Sequence, residues 1–90
     1  MNIVQTTEFK KQVKKLHRNQ KHQLDEAIKA ISKDPLMGIP KKGDLSGVRV
    51  YKFTMIDQLT LLAYQFNTTQ IQLILLALGT HENFYRDLKK

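Results

Sequence analysis

The sequence predicts an α+β domain, an antiparallel β-sheet with an N-terminal helical hairpin packed on one face, in the order β-α-α-β-β-β-α. Three observations carry this. Leu73 to Leu78 is an unbroken run of six apolar residues. It is too short to cross a bilayer and too aliphatic for a surface, so it reads as a strand buried on both faces. Before it, two shorter apolar stretches are separated by turn-forming residues, as in a strand meander. Upstream of those, apolar residues recur at spacings of three and four, which is the period of a helix facing a core. Helices followed by a run of strands is the α+β pattern.

Taken in order, Ile3 and Val4 make a brief first strand, and the Thr6-Thr7 hydroxyl pair can cap a helix from about Thr7. Phe9, Val13 and Leu16 lie on one face of that helix. A second helix from about Asn19 or Gln20 places Leu24, Ala27, Ile28 and Ile31 on its inner face and stops at Asp34-Pro35. Residues 34–47 contain both prolines and three of the four glycines, so they read as a loop, and one long enough to be functional. From Val48 a strand follows in which Val48, Val50 and Lys52 alternate with Arg49, Tyr51 and Phe53. Met55-Ile56-Asp57-Gln58 turns the chain into a strand from Leu59 to Phe66. Asn67 to Gln70 is a hairpin turn, and Ile71 to Leu78 is the last strand, ended by Gly79. A short helix is expected from His81 or Glu82 to Lys90. The sheet face away from the helices is expected to carry the polar residues.

Ninety residues form a single domain, 1–90, that buries roughly 60–65% of its unfolded surface. Without cysteine, disulfides, thiolate metal sites and a cysteine nucleophile are excluded. With no charged-then-apolar leader at Met1, a cytoplasmic location is expected. Fifteen Lys and Arg against eight Asp and Glu give a net charge of +7, a bias toward a polyanionic partner such as nucleic acid, the ribosome or an acidic protein. No segment is long enough for a membrane span, and no membrane partner is expected. Lys10, Lys11, Lys14, Lys15, Arg18 and Lys21 occur with no acid between Glu8 and Asp25. Such a run is either a solvated helix face or an electrostatic footprint for RNA or an acidic protein.

Taken together, Asp44-Leu-Ser-Gly-Val-Arg49, Val50-Tyr-Lys-Phe53, Leu62-Ala-Tyr-Gln65 and Leu78-Gly-Thr-His-Glu82 resemble the RelE/ParE superfamily of toxins from type II toxin–antitoxin systems. The likeness spans nearly the whole chain and rests on the ordered set of short motifs. The Gly79-Thr80-His81 ending followed by aromatic residues is most similar to the YafQ-type branch of the mRNA-cleaving members. The resemblance implies a RelE-like fold, endoribonucleolytic cleavage of mRNA in the ribosomal A site, and silencing by a cognate antitoxin. It implies contact with operator DNA only through the antitoxin complex, and no cofactor or metal.

The resemblance also assigns residues. Lys52 matches the basic strand position that contacts the mRNA phosphate in RelE, and Arg49 matches the arginine of a Leu-x-Gly-x-x-Arg-like stretch. His81 matches the C-terminal catalytic position. Tyr85 and Phe84 stand where the family places its catalytic or stacking aromatic. The chain departs from the pattern at Thr54 and Leu61, where RelE-type members carry cations, and in the long loop, where Lys41, Lys42 and Asp44 replace histidines.

Metal-free RNA cleavage needs activation of a 2′-OH, a cation on the scissile phosphate and a proton for the leaving 5′ oxygen. His81 can serve as acid or base, Lys52 and Arg49 as phosphate clamps, and Tyr85 as aromatic or proton-handling partner. Lys41, Lys42, Phe84 and Arg86 join the six helix cations as candidate RNA- or ribosome-binding residues. The plainer alternatives are a His81 bonded locally at a helix start, a solvated strand face and a Phe84 packed inward. Arg49 and Lys52 are an odd number of positions apart, so a regular strand places them on opposite faces unless a bulge or twist intervenes. Tyr64, inside an apolar strand, reads as a core tyrosine with a satisfied hydroxyl. Two other functions remain: a ParE-like poison of DNA gyrase without nuclease chemistry, and a basic RNA-binding module sharing only the fold.

Overall fold

The computed structural model describes residues 1–80. Strand β1 (Asn2–Gln5) leads into helices α1 (Thr7–Lys14) and α2 (Arg18–Lys33). A two-residue strand β2 (Ile39–Pro40) and a 3-10 turn (Gly43–Leu45) interrupt the long loop. Strands β3 (Arg49–Met55), β4 (Gln58–Asn67) and β5 (Gln72–Thr80) complete the sheet. The expected C-terminal helix lies outside the described residues.

The five strands run in the order β1-β5-β4-β3-β2. The β3-β4-β5 meander is antiparallel, as its short turns require. β1, however, pairs in parallel with β5, Asn2 opposite Gln72 through Gln5 opposite Leu75, so the sheet is mixed rather than wholly antiparallel. Local periodicity cannot report this, because the partner strand lies at the other end of the chain. β5 also runs through Gly79, which pairs with Leu61, to Thr80, opposite Thr60. A glycine weakens a strand without ending it when a neighbouring strand fixes its backbone.

The helices cover one face, α1 lying against β5 and α2 against β3. Phe9, Leu24 and Ile31 from the helices meet Met55, Leu62, Tyr64, Leu73, Leu75 and Leu78 from the sheet, with Val13, Leu16 and Ile28 at the margin. The helical spacing of the sequence is thus the packed face. A second apolar cluster occupies the opposite face: Val48, Val50, Leu61, Ala63 and Ala77, flanked by Leu45 and Leu76. That face is not the polar surface expected of it. Leu73 to Leu78 contributes to both clusters, as a strand buried on two faces should.

Strict alternation along β5 is broken once. The β4–β5 register steps from Ala63 opposite Ala77 to Tyr64 opposite Leu75, leaving Leu76 as an extra residue in a bulge. Leu76 and Ala77 therefore both join the second cluster. Helix α1 is stitched to this stretch by side chains. The Thr6 hydroxyl accepts from Phe9 N at 3.1 Å, capping α1, and donates to Leu76 O at 2.9 Å. Gln12 Oε1 accepts from Leu78 N at 2.7 Å. Where β1 ends, residues of α1 take over backbone groups of β5.

Candidate functional site

Along β3 the register with β4 is regular from Arg49 opposite Tyr64 to Met55 opposite Gln58, with no bulge. Arg49 and Lys52 therefore lie on opposite faces, and the structure does not bring them together. Tyr51 and Phe53 share Arg49's face and pack against the helix-side core. Lys52 shares the other face with Val50 and stands exposed.

Arg49 is engaged in scaffolding. Its Nη1 donates to Leu36 O at 3.0 Å and to Gly38 O at 2.8 Å, tying the loop after α2 to the sheet. Beneath it, fully buried Tyr64 donates its hydroxyl to Pro35 O at 2.7 Å and accepts from Gly38 N at 2.9 Å. This is the satisfied core tyrosine its sequence context predicts. Burial pushes the Tyr64 phenol above its ordinary range, while the Gly38 hydrogen bond and the Arg49 charge pull the other way. Gly38 must be glycine, since a Cβ there would stand 2.6 Å from the Tyr64 hydroxyl oxygen.

On the open face, Lys52 lies opposite Leu61, which lies opposite Gly79. Thr54 and Leu59 form the next cross-strand pair, both exposed. Leu61 is fully buried in the second cluster. Lys52, Thr54 and Leu59 thus surround a patch at the end of the sheet where β5 finishes, and His81 is the next residue after Thr80. Sequence reasoning passed over Leu59 as a member of this patch; its alternation with Leu61 was the available signal. His81, Phe84, Tyr85 and Arg86 lie outside the described residues.

Lys10, Lys11, Lys14, Lys15, Arg18 and Lys21 are all exposed, and none forms an ion pair among the described residues. In the loop, Lys42 is exposed and Lys41 half-buried, with its backbone N–H bonded to Val48 O at 2.9 Å. Leu45 of the 3-10 turn packs on the second cluster, so the loop covers part of the face opposite α1 and α2. Among the described residues no group of three His, Cys, Asp or Glu is arranged to hold a metal ion, and no helix is long and apolar enough to cross a membrane.

Solved structures share this arrangement. The toxin–antitoxin complex RelBE of E. coli contains a chain similar to this one, with 17% identity and a TM-score of 0.72, covering 90% of this chain and 96% of that chain. A mutant of E. coli toxin RelE in the free state is similar at 15% identity and a TM-score of 0.75, covering 97% and 87%. The YoeB/ParE toxin of Agrobacterium tumefaciens is similar at 16% identity and a TM-score of 0.71, covering 90% and 99%. At these identities the likeness is one of fold. No curated protein matches the sequence. A family model for the ParE-like toxin of type II bacterial toxin–antitoxin systems matches residues 3–89, nearly the full length. The chain belongs to that family, within the RelE/ParE superfamily of toxins.

Proposed function

We propose that this toxin is a metal-independent endoribonuclease that cleaves mRNA on the ribosome and is neutralised by a cognate antitoxin. The observation that carries the reading is Lys52, an exposed cation on the sheet face away from α1 and α2, in the cross-strand row that ends at Gly79, two residues before His81. A cation there suits a phosphate that gains charge as the 2′ oxygen attacks phosphorus and the 5′ oxygen leaves. His81 supplies the acid or base, and Tyr85 orients the phosphate or stacks on a base. Arg49 holds the loop instead of the phosphate. The exposed cations from Lys10 to Lys21 supply a footprint for ribosomal RNA, weakened by salt. The antitoxin partner is supported by the solved relatives, one of which is a toxin–antitoxin complex.

The test is to induce the chain in bacteria and map mRNA 5′ ends, comparing wild type with His81→Ala and Lys52→Ala. New ends inside translated frames that vanish in both variants are expected. Growth arrest without new ends would overturn the nuclease reading.

A second reading, poisoning of DNA gyrase without nuclease chemistry, is favoured by the ParE-like family match and by Thr54 and Leu61, neither of them charged. Leu61 is moreover buried among apolar residues. It predicts inhibition of gyrase supercoiling by the purified chain, and insensitivity of gyrase would exclude it.

A further inference from the structure

Charged side chains are unevenly spread along this chain. Residues 1–7 and 58–80 contain no Asp, Glu, Lys or Arg, and the fold joins these two stretches, because β1 pairs with β5 and β5 with β4. One border of the sheet is therefore built without charged side chains, in a protein of net charge +7. β1 is the outermost strand of that border, and all four of its residues are exposed. In a parallel ladder each residue turns both of its backbone groups to the same side. Asn2 N donates to Ile71 O at 3.2 Å and Thr6 N to Leu75 O at 3.1 Å. Asn2 and Val4 therefore bond to β5, and the N–H and C=O of Ile3 and Gln5 point outward. These outward groups have no partner among the described residues.

Exposed apolar side chains gather on the same border. Met1, Ile3, Val4 and Ile71 all stand in solvent. Val4 lies opposite Ile74, which lies opposite Gln65, on the sheet face away from the helices. Ile3 lies opposite Leu73, on the helix side. Sheet edges are ordinarily guarded by charges, prolines, bulges or a short strand. β1, with four residues, has only its shortness.

We propose that the β1 edge is an interface between two copies of this chain, paired antiparallel about a twofold axis through Val4. Ile3 then exchanges both backbone hydrogen bonds with Gln5 of the second copy, and Gln5 does the same with Ile3 of that copy. Val4 meets its own counterpart as a non-bonded pair, the arrangement in which Cα atoms stand about 4.5 Å apart. The row from Ile74 to Val4 continues across the axis into the same two residues of the second copy. A twofold axis through Ile3 instead would call on Met1, which lies outside β1. Charge selects the occupant. A partner complementary to +7 docks where the cations are, whereas two like-charged copies approach with least repulsion where neither carries a charged side chain. The two five-stranded sheets become one, and each β3 stays near a far end of it. Both Lys52 side chains are then left clear, on the same face. A contact this short gives a weak, reversible dimer.

The proposal is tested by sedimentation equilibrium of the purified full chain up to millimolar concentration, at low and high salt. A monomer–dimer equilibrium that tightens as salt rises is expected, because salt screens the repulsion between two cationic bodies. Val4→Lys sets two ammonium groups against each other across the axis and should weaken the dimer at least tenfold. Should that variant fail to fold, amide exchange in the unaltered chain decides: the Ile3 and Gln5 amides should slow as concentration rises, while those of Lys52 and Thr54 should not. A chain that is monomeric at millimolar concentration in high salt, a dimer indifferent to Val4→Lys in a folded variant, or protection centred on β3 or on the helices would overturn the proposal. A monomeric chain whose Ile3 and Gln5 amides are protected only on adding a Val- and Thr-rich peptide would overturn it too, and would assign the edge to a different strand.

Discussion

The two faces of the sheet are both apolar, yet they are made of different residues. The helix-side face is assembled from large side chains, Phe9, Leu24, Ile31, Leu62, Tyr64, Leu73 and Leu75, interlocked with two helices. The opposite face is thinner, made mainly of Val48, Val50, Ala63 and Ala77, with Leu61 beneath the patch that holds Lys52. The first face carries the larger share of the buried apolar volume, while the second is a buried layer of smaller side chains with an exposed cation, Lys52, beside it. The bulge at Leu76 serves the division, since it sends two consecutive residues to the thin face before alternation resumes.

The sharpest way to break the contrast is to truncate the thick face. Phe9→Ala should cost about 3–5 kcal/mol, because it empties a fully buried site between α1 and β5. Urea unfolding should show the midpoint falling accordingly.

Tyr64→Phe should cost about 1–3 kcal/mol, since Gly38 N–H and Pro35 C=O lose their shared partner. It also carries a pH signature. The Tyr64 phenol titrates above its ordinary value of 10.0 in the folded chain. The unfolded state therefore releases that proton first, and stability falls as pH rises from about 10 toward the folded value. Wild type should lose stability over that window more steeply than Tyr64→Phe, as read by denaturant unfolding at a series of pH values; equal slopes would refute the burial.

Arg49 and Lys52 test the comparison within one strand. Arg49→Ala should cost about 1 kcal/mol through the two loop carbonyls it releases. Lys52→Ala should change stability by less than about 0.5 kcal/mol, as an exposed substitution, while abolishing new mRNA ends in the induction experiment. An Arg49→Ala variant that keeps its stability would return that residue to the site.

The smallest expected effect sits in the β3–β4 turn. Ile56 holds φ at 48° and Asp57 at 63°, the pair of positive values a two-residue hairpin requires. A β-branched residue is strained there, so Ile56→Gly should stabilise by up to about 1 kcal/mol. Thermal unfolding would detect the rise.

Much of this was legible in the sequence. The spacing of Phe9, Val13 and Leu16, and of Leu24, Ala27, Ile28 and Ile31, located both helices and their inner faces, because helical period and burial are local properties. Thr6 was readable as a cap and Asp34-Pro35 as a stop for the same reason. The ordered motifs placed the chain in its superfamily, whereas the odd separation of Arg49 and Lys52 stood in conflict with the shared phosphate site assigned to both, and the regular β3 register puts them on opposite faces. What no local pattern could supply was pairing across the chain. That β1 lies parallel to β5, that Gly79 continues a strand, and that Leu76 bulges all depend on a partner distant in sequence. The face expected to be polar is apolar because the alternation of β3 turns Tyr51 and Phe53 toward the helices and Val48 and Val50 away from them, where they stack with Leu61, Ala63 and Ala77. The sequence by itself determined the two helices, the β3-β4-β5 meander, the helix-side core and the cationic character. Tertiary structure alone decided that Arg49 anchors a loop while Lys52 stands clear, because only the packed sheet shows which backbone carbonyls lie within reach of a guanidinium.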